Sequence, residues 1–161
     1  MQILVVFLFF FAGFQVSAQN QLIAKRKNNT YEFQIDTLQF KKRVSKEIFN
    51  NEIEFNKVEV KSVQENDFTY YYLQLQESKQ KVKVIRWLLM KDEELFFESN
   101  LINQESFNSV FVTCVGDCSP KVLTIEQRKY WSCDGSYTCG IQSQINPDNS
   151  GCKQVATSIL D

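Results

Sequence analysis

The stretch FTYYYLQLQ, residues 68–76, places its side chains alternately on the two faces of a β-strand. Leu73 and Leu75 share a face with Tyr71, whereas Tyr72 lies on the opposite face with the two glutamines. Aromatic and leucine side chains at a period of two are typical of a strand that buries at least one face. The pattern therefore predicts a β-sheet at the centre of this protein.

Three further segments with a period of two lie close to this strand in the chain. They are residues 57–61, KVKVIRWLLM at 81–90 and LFFES at 95–99. Polar turn sequences separate the four segments: QEND at 64–67, ESKQ at 77–80 and KDEE at 91–94. Because short polar turns join neighbouring antiparallel strands, we predict an antiparallel β-meander.

The segment TLQFKKRVSKEIFNN, residues 37–51, has a helical period instead. Phe40, Val44 and Ile48 recur at every fourth position, and basic and polar residues fill the other faces. An oxygen from the Asp-Thr pair at 36–37 can cap the first turn. We expect this apolar stripe to pack across one face of the sheet, which predicts an α+β fold of one amphipathic helix on an antiparallel β-meander.

The chain on either side of this unit contains further extended segments. LIAKRKNNTYEFQI, residues 22–35, predicts a hairpin or an edge strand around a polar turn, and SVFVTC, residues 109–114, predicts one more strand. The length of residues 19–161 suits a single α+β domain. Within that domain we predict that residues 110–161 form a cysteine-rich, loop-rich extension.

The start of the chain, MQILVVFLFFFAGFQVSAQN, contains an unbroken apolar run from Ile3 to Phe14 and then a short segment that ends in Ala18. A small residue after a short apolar run is typical of a cleaved secretory signal peptide. The run is too short to cross a bilayer, which takes about 20 residues. We therefore predict a signal peptide at residues 1–18 and a secreted or periplasmic protein that does not span the membrane.

The composition excludes several classes of function. The formal net charge of -1 disfavours nucleic acid as a partner. The sequence contains no histidine, which excludes Ser-His-Asp and Cys-His catalysis and histidine-based zinc sites. We predict no catalytic residues, no bound cofactor and no metal site.

Five cysteines lie close together near the C-terminus: Cys114, Cys118, Cys133, Cys139 and Cys152. Their spacing could supply four thiolates to one zinc ion, or a redox centre. However, an exported chain enters an oxidising compartment, where thiols become disulfides. We therefore predict structural disulfides that stabilise the C-terminal segment.

The sequence leaves the pairing of the cysteines open. A three-residue loop at 135–137 gives a modest preference for a bond between Cys133 and Cys139 across a hairpin. Two bonds leave one cysteine over. That cysteine is either a free thiol or the link of a disulfide-bonded dimer.

Tyr70 and Tyr72 are the first candidates for a binding surface, because they lie on the face of the strand opposite the predicted core. Tyrosine rings combine a large apolar area with a polar hydroxyl group, which suits contact with proteins and sugars. We expect a protein or a glycan partner outside the cytoplasm.

Two resemblances add to these predictions. The export segment ending VSAQNQ and a body rich in Lys, Asn, Gln, Phe and Ile resemble the small secreted proteins common in Bacteroidetes, which implies export. The order of helix and meander over residues 31–99 is similar to cystatin-like domains, which implies inhibition of cysteine proteases. The inhibitors carry a Gln-Val-Val-Ala-Gly hairpin where this chain reads SVQENDF, residues 62–68.

We therefore predict an exported, non-enzymatic binding or interaction domain. One alternative is an inhibitor or immunity-type protein that acts on a secreted enzyme. A second alternative, from another class, is a hydrolase that uses two carboxylates, which requires a cleft that holds them within about 10 Å of each other.

Overall fold

A computed structural model describes residues 20–79, 81–97, 111–116, 118–126, 128–133, 139 and 152–155, and the predicted signal peptide lies outside these residues. The elements follow in the order β1 (Gln21–Lys27), β2 (Thr30–Phe33), α1 (Thr37–Phe49), β3 (Lys57–Glu65), β4 (Phe68–Glu77), β5 (Val82–Lys91), β6 (Glu94–Phe97), β7 (Phe111–Val115), β8 (Lys121–Ile125), β9 (Arg128–Ser132) and β10 (Cys152–Val155). The predicted α+β class is confirmed.

Helix α1 begins and ends where its sequence predicts. Asp36 is the N-cap, and its Oδ1 accepts hydrogen bonds from the backbone N–H groups of Leu38 and Gln39 at 2.9 and 3.0 Å. Asn50 adopts the left-handed conformation after the last turn, with φ 50°, which asparagine tolerates better than most residues. The helix buries Phe40 and Val44, as the fourfold period indicates.

Strands β3 to β6 form the predicted antiparallel meander. Residues of β4 pair with β5 in the register Tyr71 to Leu88 through Glu77 to Val82. The turns between the strands contain residues with positive φ, such as Asn66 at 52°. Such left-handed residues give the turn the twist that a tight β-hairpin requires.

The sheet divides at β5, a feature that the sequence did not predict. The first half of β5, Val82 to Ile85, pairs with β7, and β7 pairs in turn with β10. The last three residues of β5 pair with β6, and the sheet continues from β6 through β1 to β2. Strand β6 has four residues and β5 has ten, so β6 leaves most of that edge of β5 for another strand.

The two faces of the sheet bury different clusters. The helix-side face includes Leu73, Leu75, Val84 and Leu88, which share a cluster with the buried residues of α1. The opposite face is called the hairpin-side face, because the two-stranded hairpin of β8 and β9 packs on it. It contains the residues that alternate with these: Tyr70, Tyr72, Ile85 and Trp87. They share a cluster with Val122 of β8 and Trp131 of β9. The predicted assignment of β4 side chains to two faces is therefore confirmed.

The C-terminal extension contains more regular structure than predicted. Strands β8 and β9 pair with each other as a separate two-stranded sheet, and β10 pairs with β7. These strands are only four or five residues long, so their periodicity is too brief to distinguish them from loops in the sequence.

Arg86 lies at the division of the sheet. It follows the part of β5 that pairs with β7 and precedes the part that pairs with β6. Its guanidinium carbon is 4.6 Å from the ring centroid of Phe97 on β6 and 4.9 Å from that of Phe111 on β7. Arg86 is 3% exposed, and this burial lowers the pKa of its guanidinium to about 10. The side chain therefore bridges the two branches by cation–π contacts in a dry setting.

In the part of the chain that the structure describes, no helix has both the length and the apolar character that a membrane span requires.

We predict that Arg86→Ala lowers the free energy of unfolding by about 3 kcal/mol, because it removes both ring contacts and leaves a cavity. The measurement is urea unfolding followed by tryptophan fluorescence. Arg128→Ala, at an exposed position of β9, is the matched control and should change stability by less than about 0.5 kcal/mol. Equal effects of the two substitutions would contradict the bridging role of Arg86.

Candidate functional site on the hairpin side of the sheet

Two disulfides hold the C-terminal strands. Cys118 bonds to Cys133 with a Cα–Cα distance of 4.9 Å, and Cys139 bonds to Cys152 with 5.1 Å. The prediction of two disulfides with one cysteine left over is confirmed. The preference for a bond between Cys133 and Cys139 is wrong. The register of β8 and β9 pairs Lys121 with Ser132, which brings the residue after β9 beside the chain that leads into β8.

The two bonds have different structural effects. The first closes the open end of the β8–β9 hairpin. The second ties this hairpin to the main sheet, because the backbone N–H of Cys139 donates to the carbonyl of Trp131 at 2.6 Å while Cys152 lies on β10. Together they hold the hairpin against the hairpin-side face.

Cys114 carries the free thiol. It lies on β7, opposite Cys152 of β10 and Lys83 of β5 in the strand register, and is 1% exposed. Burial raises the pKa of the Cys114 thiol to about 12, and the charge of Lys83 opposes part of that increase. The predicted disulfide-linked dimer through the odd cysteine would therefore require this strand pair to open, because a second chain cannot reach a thiol buried this deeply.

The sulfur atoms of Cys114, Cys118 and Cys133 lie within 4.8 Å of one another. The spacing resembles that of a thiolate metal site, but zinc binds cysteine as the thiolate. Two of the three sulfurs are bonded to each other in a disulfide. In this covalent state the cluster is a thiol beside a disulfide.

Tyr70 and Tyr72, the predicted binding surface, lie beneath the hairpin and are 5% and 6% exposed. The Tyr72 ring makes an edge contact with Trp131, at 5.4 Å between centroids. Lys129 places its ammonium group 4.7 Å from the centroid of the Tyr70 ring. Lys129 and Trp131 are two residues apart, so they share the face of β9 that meets the sheet. Strand β9 therefore covers both tyrosines.

Phe68 is the exposed aromatic residue at this end of the sheet, a role that the sequence analysis did not assign. It follows the turn at Asn66 and is 64% exposed. Its ring lies 6.4 Å from that of Tyr70, which in turn lies 5.3 Å from that of Trp87. The sequence does show that Phe68 lies on the same face of the strand as Tyr70. Phe68 is exposed because, as the first residue of β4, it lies beyond the β8–β9 hairpin that covers the two tyrosines.

Glu65 pairs with Phe68 in the register of β3 and β4. Its Oε2 atom is buried and has no hydrogen-bond partner among the residues that the structure describes. Burying an acceptor without a donor costs about 1 to 3 kcal/mol. The tip of the β3–β4 hairpin thus exposes an apolar ring, and the residue paired with it carries a buried acceptor without a described partner.

The other end of β3 carries charge. Glu59 pairs with Lys57 at 2.8 Å and with Lys61 at 3.4 Å. The hydrogen bond from Lys57 lowers the pKa of the Glu59 carboxyl, and Lys61 adds to this effect against the opposing influence of burial. Alternating charges of this kind protect an exposed strand from pairing with another chain.

No protein-family model, curated protein or solved structure matches this chain.

We predict that peptide mapping without reduction yields the bonds Cys118 to Cys133 and Cys139 to Cys152. In the native protein, Cys114 should react with a maleimide only on unfolding, because its sulfur is buried. Replacing Cys118 and Cys133 together by alanine should lower the free energy of unfolding by about 3 kcal/mol, as expected for a loop of this length. Rapid native labelling of Cys114 would contradict the structure.

Proposed function

We propose that this chain is an exported, non-enzymatic binding domain that contacts a protein partner through the tip of its β3–β4 hairpin. The observation that carries this proposal is the exposure of Phe68, 64%, on a ring that contacts Tyr70, which in turn packs on Trp87. An aromatic ring that is held in place but exposed loses little entropy on binding, and such residues dominate the energy of protein interfaces.

The acceptor beside this ring defines the chemistry of the partner. If the Glu65 carboxylate turns outward on binding, its Oε2 gains a hydrogen bond from an N–H group or an ammonium group that the partner brings next to an apolar pocket. We therefore favour a protein surface with an apolar pocket and a Lys, Arg or backbone donor at its rim. A glycan is the other class of ligand that stacks on aromatic rings, and a protein fits better because one ring is exposed rather than a platform of several.

Export is the second part of the proposal. Residues 1–18 have the pattern of a signal peptide. Two intramolecular disulfides are compatible with an oxidising compartment outside the cytoplasm. Both observations support a partner that is itself secreted or periplasmic.

An inhibitor of a secreted enzyme is the second candidate, and the position of the hairpin tip favours it. Residues 62–68 span the end of β3, the turn at 66–67 and the first residue of β4, the position at which the cystatin-like resemblance expects an inhibitory hairpin. An exposed ring at the end of a hairpin can enter the cleft of an enzyme. The sequence of the turn differs from that of the inhibitors, so this candidate requires a direct assay.

The hydrolase with two carboxylates receives less support. A general acid requires a carboxyl group with a raised pKa. Glu59 has a lowered pKa, since Lys57 donates a hydrogen bond to it. This carboxylate is therefore suited to an ion pair, and the hydrolase stays a prediction for an assay with model glycosides.

We predict that a photoreactive phenylalanine analogue at position 68, introduced into the exported protein, forms a discrete covalent adduct with a protein in the producing cells. The same analogue at Leu38, which is 54% exposed on α1, is the matched control and should give no discrete adduct. Mass spectrometry then identifies the partner, and Glu65→Gln should weaken capture. Equal adducts at both positions, or none at position 68, would overturn the assignment of the hairpin tip.

The inhibitor candidate predicts dose-dependent inhibition of a papain-type cysteine protease by the purified protein. Phe68→Ala should weaken this inhibition at least about tenfold, since truncating an interface aromatic typically costs about 2 kcal/mol or more. Leu38→Ala should inhibit as the unmodified protein does. Full protease activity at high micromolar concentrations of the unmodified protein would exclude this candidate and leave the binding domain intact.

A further inference from the structure

Cys114 lies beside a disulfide rather than alone. Its Sγ and the two sulfurs of the bond between Cys118 and Cys133 all lie within 4.8 Å of one another, on the hairpin-side face of the sheet. Cys114 is on a strand of the main sheet, whereas Cys118 and Cys133 flank the β8–β9 hairpin. A nucleophile, an electrophilic bond and a leaving group are thus present at one contact between the sheet and the hairpin.

We propose that these three cysteines form an internal thiol–disulfide exchange unit, in which Cys114 displaces Cys118 from its bond to Cys133. The Cys114 thiol gives its proton to a base in solution, and its thiolate attacks Sγ of Cys133. The bond between Cys114 and Cys133 forms as the bond between Cys118 and Cys133 breaks. The electron pair leaves on Sγ of Cys118, which takes up a proton. The reaction is an isomerisation, so it consumes no oxidant or reductant.

Lys83 interacts with two of the three cysteine residues. Its Nζ donates to the backbone carbonyl of Cys118 at 2.5 Å, and its charge also lowers the pKa of Cys114. Disulfide exchange is faster when the leaving thiolate is stabilised. Because the ammonium group is held at the backbone of Cys118, we assign Cys118 as the leaving thiolate and Cys133 as the sulfur that Cys114 attacks.

The charged and titratable groups that face Cys114 set the pH dependence of this step. They are Lys83 on β5 and Tyr72 on β4, whose pKa is raised mainly by burial and further by Cys114. The Tyr72 hydroxyl therefore keeps its proton between pH 7 and 9. Over this interval the Cys114 thiolate is a minor species that increases about tenfold with each pH unit, because its pKa is about 12.

The exchange moves the free thiol from Cys114 to Cys118. Before it, the free thiol is on Cys114, which is 1% exposed. After it, the free thiol is on Cys118, which is only partly buried at the edge of the hairpin-side cluster. The protein therefore has one covalent state with an inert thiol and a second state with a thiol closer to solvent. From the second state it can form a mixed disulfide by attacking a disulfide of a partner, whose leaving thiolate takes up a proton.

The variant Cys118→Ser tests whether Cys114 can form a bond with Cys133, and it requires no measurement of a rate. In Cys118→Ser, Cys133 loses its partner, and we expect dissolved oxygen to oxidise the two thiols to a bond between Cys114 and Cys133, with no free thiol by mass after alkylation. The double variant Cys114→Ser with Cys118→Ser is the matched control and should retain one free thiol, on Cys133. Two alkylated thiols in Cys118→Ser, at Cys114 and Cys133, would overturn the proposal.

The unmodified protein gives an independent test, should a variant fail to fold. It is incubated at pH 7, 8 and 9, quenched with acid and labelled with a maleimide after unfolding. We expect label at Cys114 at the start, then at Cys118, with a rate that rises about tenfold per pH unit. Label that stays on Cys114, or that moves to Cys133, would overturn the proposal.

Lys83 is tested as a positioning residue in the same assay. Lys83→Met should slow the appearance of label at Cys118 about tenfold, because the thiolates lose a neighbouring charge. Lys83→Arg should restore most of the rate. A purely structural role for Lys83 would change the stability of the protein but not the rate at which label appears at Cys118, so an unchanged rate in Lys83→Met would contradict the assignment.

Discussion

The guanidinium of Arg86, held between the rings of Phe97 and Phe111, lies where the sheet divides. Strand β5 pairs with β7 along its first half and with β6 at its end, and Arg86 lies between these two paired segments. An aliphatic residue would fill the space, but the planar guanidinium also stacks on both rings at once. Burying the charge costs free energy, and the two cation–π contacts oppose that cost. The helix-side core is assembled around this junction, since Phe40 of α1 packs on both rings.

The two faces of the sheet are covered by different physical means. On the helix side, α1 contributes a stripe of apolar side chains, and burial of such surface stabilises the fold by about 25 cal/mol per Å². On the hairpin side, β8 and β9 contribute few aliphatic residues, of which Val122 is buried together with Trp131. The two disulfides add the stability that this small apolar area cannot provide, because they lower the conformational entropy of the unfolded chain. The free Cys114 lies where the main sheet contacts the disulfide-bonded β8–β9 hairpin.

Local signals account for the parts of the fold that the sequence predicts correctly. The N-cap at Asp36, the fourfold spacing of Phe40 and Val44 and the polar turns of the meander each act over a few residues, so they are visible in the chain. The division of the sheet is not visible, because it depends on β7 returning to β5 after a long separation. The cysteine pairing depends on the register of β8 and β9, which four or five residues cannot specify. The burial of Tyr70 and Tyr72 has the same origin, since their cover comes from residues about 60 positions away that pack by tertiary contact.

The pairing of β1 with β6 has a consequence for the order in which the chain acquires structure. Lys25 pairs with Glu94, so the first strand finds its central neighbour only after the helix and the whole meander have been made. Contacts between such distant residues slow folding, because the loop must close before they form. Until then β1 has the hairpin partner β2 and one open edge. During that interval the open edge of β1 can pair with another chain, so the delay before β6 is available is a period in which the protein is prone to aggregate.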